Sequence, residues 1–188
     1  MTGPPSSVRG VLVLALAGAI ALAGCSSDGP DLPDGGIDLS EPATAESPSG
    51  RSLLDGFTEV TVVVTTPDGS TEEICLLLAD EAAEWARGLM QVTDLGDHAG
   101  MVFDFPEERT GTFFMRNTPM PLSIAFFDGD GDWVSSTDME PCEDRDGCPS
   151  YAADGPYRFA IEVPQGDLAG SGLVDGSSIE LAGACAPL

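Results

Sequence analysis

Between Phe113 and Val134 the chain reads Phe-Phe-Met-Arg-Asn-Thr-Pro-Met-Pro-Leu-Ser-Ile-Ala-Phe-Phe-Asp-Gly-Asp-Gly-Asp-Trp-Val, a segment that few folds can accommodate. Two strongly apolar strand candidates flank a rigid Asn-Thr-Pro-Met-Pro link, and the second runs into a Gly/Asp hairpin turn. Aromatic and β-branched residues on either side of such a turn favour a pleated, buried sheet. The only base in the segment, Arg116, stands where the first strand meets the prolines.

The flanking sequence supplies partners for that sheet. Glu59 to Thr66 is β-branched and reads as a strand, Pro67-Asp68-Gly69-Ser70 as a turn, and Thr71 to Leu78 as the returning strand. Asp80 is placed to cap a helix that runs to about Leu89, with Ala82, Trp85, Ala86 and Leu89 at the spacing of a buried face. Glu84 and Arg87 are i,i+3 neighbours on its wet side, and Gly88 is placed to end it. Met101 to Phe105 alternates as a strand, and Pro106 to Gly111 reads as a turn. Trp133 to Thr137 completes a hairpin, Asp138 to Pro156 reads as a long irregular loop, and Arg158 to Val163 and Ser177 to Leu181 are the last strands. A helical turn is expected between Gln165 and Ala169. The expected fold is α+β and mainly β: a compact curled antiparallel sheet or small barrel with one clear helix near residues 80–89.

The first 56 residues read differently. Arg9 precedes an unbroken apolar or small run from Val11 to Leu22, which fits a secretory signal and is short for a membrane span. It ends in Leu22-Ala23-Gly24-Cys25, which resembles the bacterial lipoprotein signal, so residues 1–24 are expected to be removed. That resemblance implies acylation of Cys25 and anchoring to the lipid bilayer, outside the cytoplasm of a bacterium. Residues 25–56 are rich in Ser, Asp, Gly and Pro and are expected to form a flexible tether, leaving 57–188 as a single domain.

Export makes the other cysteines readable. Cys75, Cys142, Cys148 and Cys185 are an even set, which in an oxidising compartment implies two disulfides with three arithmetical connectivities. Cys142 and Cys148 share one Glu/Asp/Gly loop, and Cys75 and Cys185 lie in or beside the first and last strands. The expected pairs are therefore Cys142–Cys148 and Cys75–Cys185. A zinc site is the weaker alternative, because the Cys142–Cys148 spacing is wide and the chain has one His. No metal and no cofactor are expected.

Charge narrows the function classes. Net charge is −25, and all seven basic residues are Arg. The absence of Lys removes Schiff-base and Walker-type lysine chemistry. With no basic stripe to displace counterions, nucleic acid is not an expected partner. Asp128-Gly-Asp-Gly-Asp132 imitates the start of a calcium loop, but Trp133 and Met139 replace its required Gly and Glu, so a solvated turn with at most weak calcium contact is expected. Met90, Met101, Met115, Met120 and Met139 match no tight Cu(I) cluster and read as core. His98 lies in a Gly/Asp loop with no sequence-adjacent partner, and no nucleophile elbow or zincin helix is present.

The expected ligand site is Arg116, Asn117 and Thr118, with Arg87 as a second cation. Arg116 stands at a strand end, and Asn117 and Thr118 precede Pro119, whose ring extends the backbone before it. Together they could hold a small anionic or carbonyl-bearing ligand. The alternative has Arg116 in an ion pair with a nearby acid and Asn117 tying down the Pro119–Pro121 loop.

A series of spaced motifs runs through this region: Arg87-Gly88-Leu89-Met90, Gly100-Met101-x-Phe103-x-Phe105, Phe114-Met115-Arg116-Asn117-Thr118 and Pro121-Leu122. Phe126-x-Asp128, Pro141-Cys142, Tyr151 and Glu162-Val163 follow. From about Thr71 to Leu181 the chain resembles domain-of-unknown-function family 192, also called uncharacterised protein family 0127. The resemblance implies a compact β-rich fold in an exported or membrane-anchored protein, and it implies no particular enzymatic activity. The chain departs from the family pattern with Phe114 for Trp, Ser123 for Asp and Gly176-Ser177 for Gly-Asp. The expected role is a small-ligand or envelope-interaction module acting as a monomer; the alternative is an extracytoplasmic enzyme of hydrolase-like chemistry using a cleft near Arg116.

Overall fold

β-Branched residues build the first hairpin: Thr58–Thr65 (β1) and Thr71–Ala79 (β2) pair antiparallel from Thr58↔Leu78 to Thr65↔Thr71. The turn between them is held by the Asp68 carboxylate, which accepts hydrogen bonds from Thr66 Oγ1 at 2.6 Å and the Ser70 amide at 3.0 Å. Those bonds, the Thr66 hydroxyl first, hold the Asp68 carboxyl at a pKa of about 2. These relationships come from a computed structural model, which describes residues 47–188. The expected signal at 1–24, Cys25 and the tether as far as residue 46 lie outside the described residues.

After β2 the chain crosses over through a short helix, Ala82–Arg87 (α1), and enters Gly100–Arg109 (β3) parallel to β2, with Leu76 opposite Gly100. This crossover puts one parallel pair in an otherwise antiparallel sheet. The helix cap differs from expectation: Glu81, not Asp80, is the N-cap. The Glu84 carboxylate accepts from the Asp80 amide at 2.9 Å and the Glu81 amide at 3.0 Å, satisfying donors that the helix start leaves open. Ala82 and Ala86 are exposed, so only Trp85 and Leu89 of the expected face reach the core. Pro106 does not turn the chain, because β3 runs on to Arg109 through an irregular register opposite the strand that starts at Tyr157.

The organising segment divides between two sheets. Thr112–Phe114 (β4) pairs with Ser150–Ala152 (β7), a strand inside the loop expected to be irregular. Leu122–Phe127 (β5) lies in the main sheet between Trp133–Met139 (β6) and Tyr157–Pro164 (β8), and every residue of β5 is buried. Burial on both faces explains its unbroken apolarity: Leu122, Ile124 and Phe126 enter one core layer, Ala125 and Phe127 the other. Ser178–Gly183 (β9) completes the order β6-β5-β8-β3-β2-β1-β9. A 3₁₀ turn at Ala169–Ser171 lies slightly beyond the expected helical turn.

The sheet curls until its two edges touch without closing. The Ile179 amide donates to the Gly131 carbonyl at 2.8 Å, and the Trp133 amide donates to the Ser177 carbonyl at 3.1 Å. Gly131 has φ +84°, and a Cβ there would stand 2.2 Å from the Ile179 carbonyl oxygen, so glycine serves both the turn and the contact. The same turn uses the Asp128 carboxylate to accept from the amides of Asp130 and Asp132, at 3.0 and 2.9 Å. That is the solvated turn read from the sequence.

Both expected disulfides are present, Cys75–Cys185 and Cys142–Cys148, with Cα separations of 5.6 and 5.9 Å. Cys75 sits opposite Thr61 on one side of β1, and Gly183 sits opposite Thr61 on the other. The Cys75–Cys185 bond therefore straps the C-terminal residues across β1. Ser47–Arg51, assigned to the tether by composition, also pack here. Arg51 Nη1 donates to the Ala186 carbonyl at 2.8 Å, and the Leu188 amide donates to the Ser49 carbonyl at 3.0 Å.

Candidate functional site

Two non-glycine residues among those described have left-handed backbones, Gln91 at φ 62° and Asn117 at φ 59°. Each costs conformational energy that an L-residue normally avoids, and such residues concentrate at functional sites. They meet: the Gln91 amide donates to the Asn117 carbonyl at 2.8 Å. Gln91 leaves the turn after α1, and Asn117 opens the Asn-Thr-Pro link, so this single bond joins the helix crossover to the organising segment.

A cleft of about 560 Å³ opens beside that bond, lined by Gln91, Asn117, Thr118, Pro119, Pro141, Cys142, Glu143 and Asp144. It falls within the range of small-molecule sites. Cys142 joins the same lining. Its backbone bridges both Arg116 and Thr118, and its disulfide fixes the Cys142–Cys148 ring that presents Glu143 and Asp144. Thr118 is 5% exposed, and the nearest partner of its hydroxyl is the Arg116 carbonyl at 3.5 Å. That is about 0.7 Å longer than the usual O–H···O bond.

The four expected site residues do not share one cleft, although Arg87 and Thr118 both line a smaller cavity of about 70 Å³. Asn117 and Thr118 line the cleft. Arg116 is not among the lining residues, but its Nε lies 2.7 Å from Oδ1 of the lining residue Asp144, and its Nη1 lies 3.8 Å from Asp146 Oδ1. Arg87 is not on this wall. It donates to the Asp55 carbonyl at 2.5 Å and lies 4.5 Å over the Phe57 ring, fastening the start of the domain to α1. It lines a neighbouring groove with Leu54, Met90 and Gln91.

Sequence reasoning missed Gln91, Glu143 and Asp144 as wall residues. The Cys142–Cys148 spacing could have found the acids, since it predicts a small ring that must project its side chains. Nothing in the sequence marks Gln91, whose place follows from its backbone conformation alone.

Two buried acids lie outside the cleft wall. Glu59 meets His98, with Nε2 3.0 Å from Oε2 and both side chains enclosed. Burial pushes the Glu59 carboxyl up, but bonds from Ser49, Ser47 and His98, together with the His98 charge, outweigh it and hold the carboxyl below its usual range. This pair anchors the Ser47–Gly50 turn, with Ser47 Oγ 2.8 Å from Glu59 Oε1. His98 is thus a structural partner in the strap region. Glu162 on β8 sits between Met101 and Ile124 of the adjacent strands. Its neighbours Ile161 and Val163 face the other layer, so by alternation its side chain enters the layer that holds Met101 and Ile124. It is 5% exposed, and burial raises its pKa to about 8.

Solved structures share this fold. A putative transcription regulator from Sinorhizobium meliloti 1021 is 25% identical, covering 66% of this chain and 95% of that one, with a TM-score of 0.57. A protein of unknown function from Novosphingobium aromaticivorans DSM 12444 is 31% identical, covering 74% of this chain and 99% of that one, with a TM-score of 0.60. No curated protein matches the sequence. The family model described as uncharacterized ACR, DUF192, matches residues 63–181, which span β1 to β9 and every wall of the cleft, and the chain belongs to that family.

Proposed function

We propose that this chain is an extracytoplasmic lipoprotein, held on the bacterial membrane through acylated Cys25, whose domain is a small-ligand or envelope-interaction module. The observation that carries the ligand role is the strained Gln91–Asn117 pair on the wall of the 560 Å³ cleft. Two left-handed side-chain-bearing residues are held in place by one hydrogen bond, and both present carboxamides beside a cleft. Thr118 adds a hydroxyl, while Pro119, Pro141 and the disulfide add apolar surface. Such a lining recognises by hydrogen bonds and contact. The anchor is supported by Leu22-Ala23-Gly24-Cys25, and the export by the two disulfides.

The relative described as a putative transcription regulator raises nucleic acid as a partner. A chain with net charge −25 and no Lys offers no counterion-releasing surface, which favours the small-ligand reading.

Two measurements test the proposal. Cys25→Ser should leave unprocessed precursor or release soluble protein, and normal processing with full membrane retention would contradict the anchor. A thermal-shift screen of metabolites and cell-wall fragments should yield ligands that stabilise the chain but fail to stabilise Asn117→Gly. Hits indifferent to that substitution would place the site elsewhere.

A further inference from the structure

We infer that Cys75, Cys185 and Glu59 form a zinc site when the disulfide between the two cysteines is open. This corner of the domain is then held by a covalent bond in one redox state and by a metal in the other. Glu59 stands opposite Leu77 and Thr61 opposite Cys75, so Glu59 and Cys75 are diagonal neighbours on one face of the β1–β2 hairpin. The C-terminal strap brings Cys185 to Cys75. A carboxylate oxygen of Glu59 and the two sulfurs lie within 4.8 Å of one another, so all three can reach one ion.

The spacing suits zinc. Tetrahedral zinc with Zn–S of about 2.3 Å and Zn–O of about 2.1 Å sets sulfur and oxygen about 3.6 Å apart. Glu59 Oε2 stands 3.7 Å from Cys75 Sγ. The carboxylate is also oriented in advance: Ser47 Oγ donates to Oε1 at 2.8 Å, and His98 Nε2 lies 3.0 Å from Oε2. Oε2 keeps a second lone pair for a metal, and ligating carboxylates are commonly fixed by such outer hydrogen bonds. The disulfide gives that oxygen nothing in return, since its sulfurs bring neither a proton nor a positive charge. Two thiolates with a carboxylate are a donor set that zinc accepts. Glu59, His98 and Cys185 are enclosed, while a groove of about 100 Å³ that Arg51, Ala186 and the half-buried Cys75 line gives access from solvent.

Opening is a thiol–disulfide exchange with an external dithiol. One reagent thiolate attacks the Cys75 sulfur, the S–S bond breaks and Cys185 leaves as thiolate; the second reagent thiol then displaces Cys75. The dithiol becomes a disulfide, its two electrons pass to Cys75 and Cys185, and two protons enter solvent as zinc takes both thiolates.

The test uses the full chain with Cys25→Ser, Cys142→Ser and Cys148→Ser, which leaves one cysteine pair, reduced by a dithiol and desalted without oxygen. Titration with zinc chloride against a chromophoric chelator should show one tight zinc per chain, and the oxidised sample should show only the weak binding of exposed carboxylates. Glu59→Gln, checked for native circular dichroism in its oxidised form, should weaken the tight site about tenfold or more. Cys185→Ser should abolish it, and the exposed Glu72→Gln should leave it unchanged. Zinc X-ray absorption of the parent should give two sulfurs at about 2.3 Å with oxygen at about 2.0–2.2 Å. If reduction unfolds the chain, zinc should restore the β-rich circular dichroism. Equal binding by the oxidised chain, no tight zinc in the reduced one, indifference to Glu59→Gln, more than two sulfurs per zinc, or binding to a chain that stays unfolded would each overturn the inference.

Discussion

The amide of Gln91 donates to the carbonyl of Asn117 across 2.8 Å, and both residues hold left-handed backbones to make that bond. It ties the turn after α1 to the start of the Asn-Thr-Pro link and sets the wall of the cleft. If the side chains serve the ligand and the backbone alone serves the fold, the two roles can be separated by glycine.

Gln91→Gly and Asn117→Gly should each leave stability unchanged or raise it by up to about 1 kcal/mol, since relief at positive φ offsets the added freedom of the unfolded chain. Asn117→Val should lower it by about 1–3 kcal/mol, because a β-branched residue is a true outlier there. Urea melts would decide. A large loss in both glycine variants would mean that the carboxamides hold the fold together.

Arg116 is 47% exposed and its partner Asp144 is 63% exposed. A pair in that setting contributes little, so Arg116→Ala should cost less than about 1 kcal/mol. A loss near the 3–5 kcal/mol typical of a broken buried pair would show that this clamp holds the core.

The Glu162 carboxyl is lifted from 4.5 to about 8 by burial. Between those values the folded chain keeps a proton that the unfolded chain has released. Its contribution to stability therefore falls as pH rises through that window, by at most about 1.4 kcal/mol per unit, and flattens above it. Glu59 acts with the opposite sign: its lowered carboxyl adds stability above the ordinary carboxylate range, and this is lost on acidification through its folded pKa. Glu162→Gln should thus raise stability toward alkaline pH and flatten the profile there. Melting curves from about pH 5 to about pH 9 that are parallel for the two proteins would contradict this account.

The two disulfides should differ in their effects. Cys75 and Cys185 are 110 residues apart, so replacing both by Ser should cost about 5 kcal/mol in the loop-entropy account. Cys142 and Cys148 are 6 apart, and replacing both should cost about 2 kcal/mol while loosening the cleft wall. Equal losses would show that native contacts, not loop closure, govern the difference.

Local pattern carried much of this fold. The β-branched run around Val60–Val64 and the uniformly apolar Leu122–Phe127 are strands because their side chains admit little else, and both lie where the sequence puts them. Elements defined by partners were harder to read. Ser150–Ala152 is short and half polar, and becomes a strand only by pairing with Thr112–Phe114. The parallel β2–β3 pair follows from the crossover through α1, which no periodicity shows. Glu59 and His98 are 39 residues apart, and nothing in either neighbourhood announces the other. At the site, Asn117 and Thr118 were legible from the prolines that follow them. Gln91 was not, because a left-handed backbone at a Gln has no sequence signature. The burial of Glu162 was not legible either, because alternation with Phe159, Ile161 and Val163 reads as a solvent-facing position, and only burial of the sheet on both faces encloses it.

The central claim is that the Gln91–Asn117 cleft binds a small ligand. Its most direct measurement is a map of backbone amide chemical shifts as the strongest stabilising compound from the metabolite and cell-wall-fragment screen is titrated into the isotope-labelled chain. The account predicts saturable changes centred on Gln91, Asn117, Thr118, Cys142, Glu143 and Asp144, and their absence in Asn117→Gly. Saturable changes centred elsewhere, or none at these six amides, would contradict it.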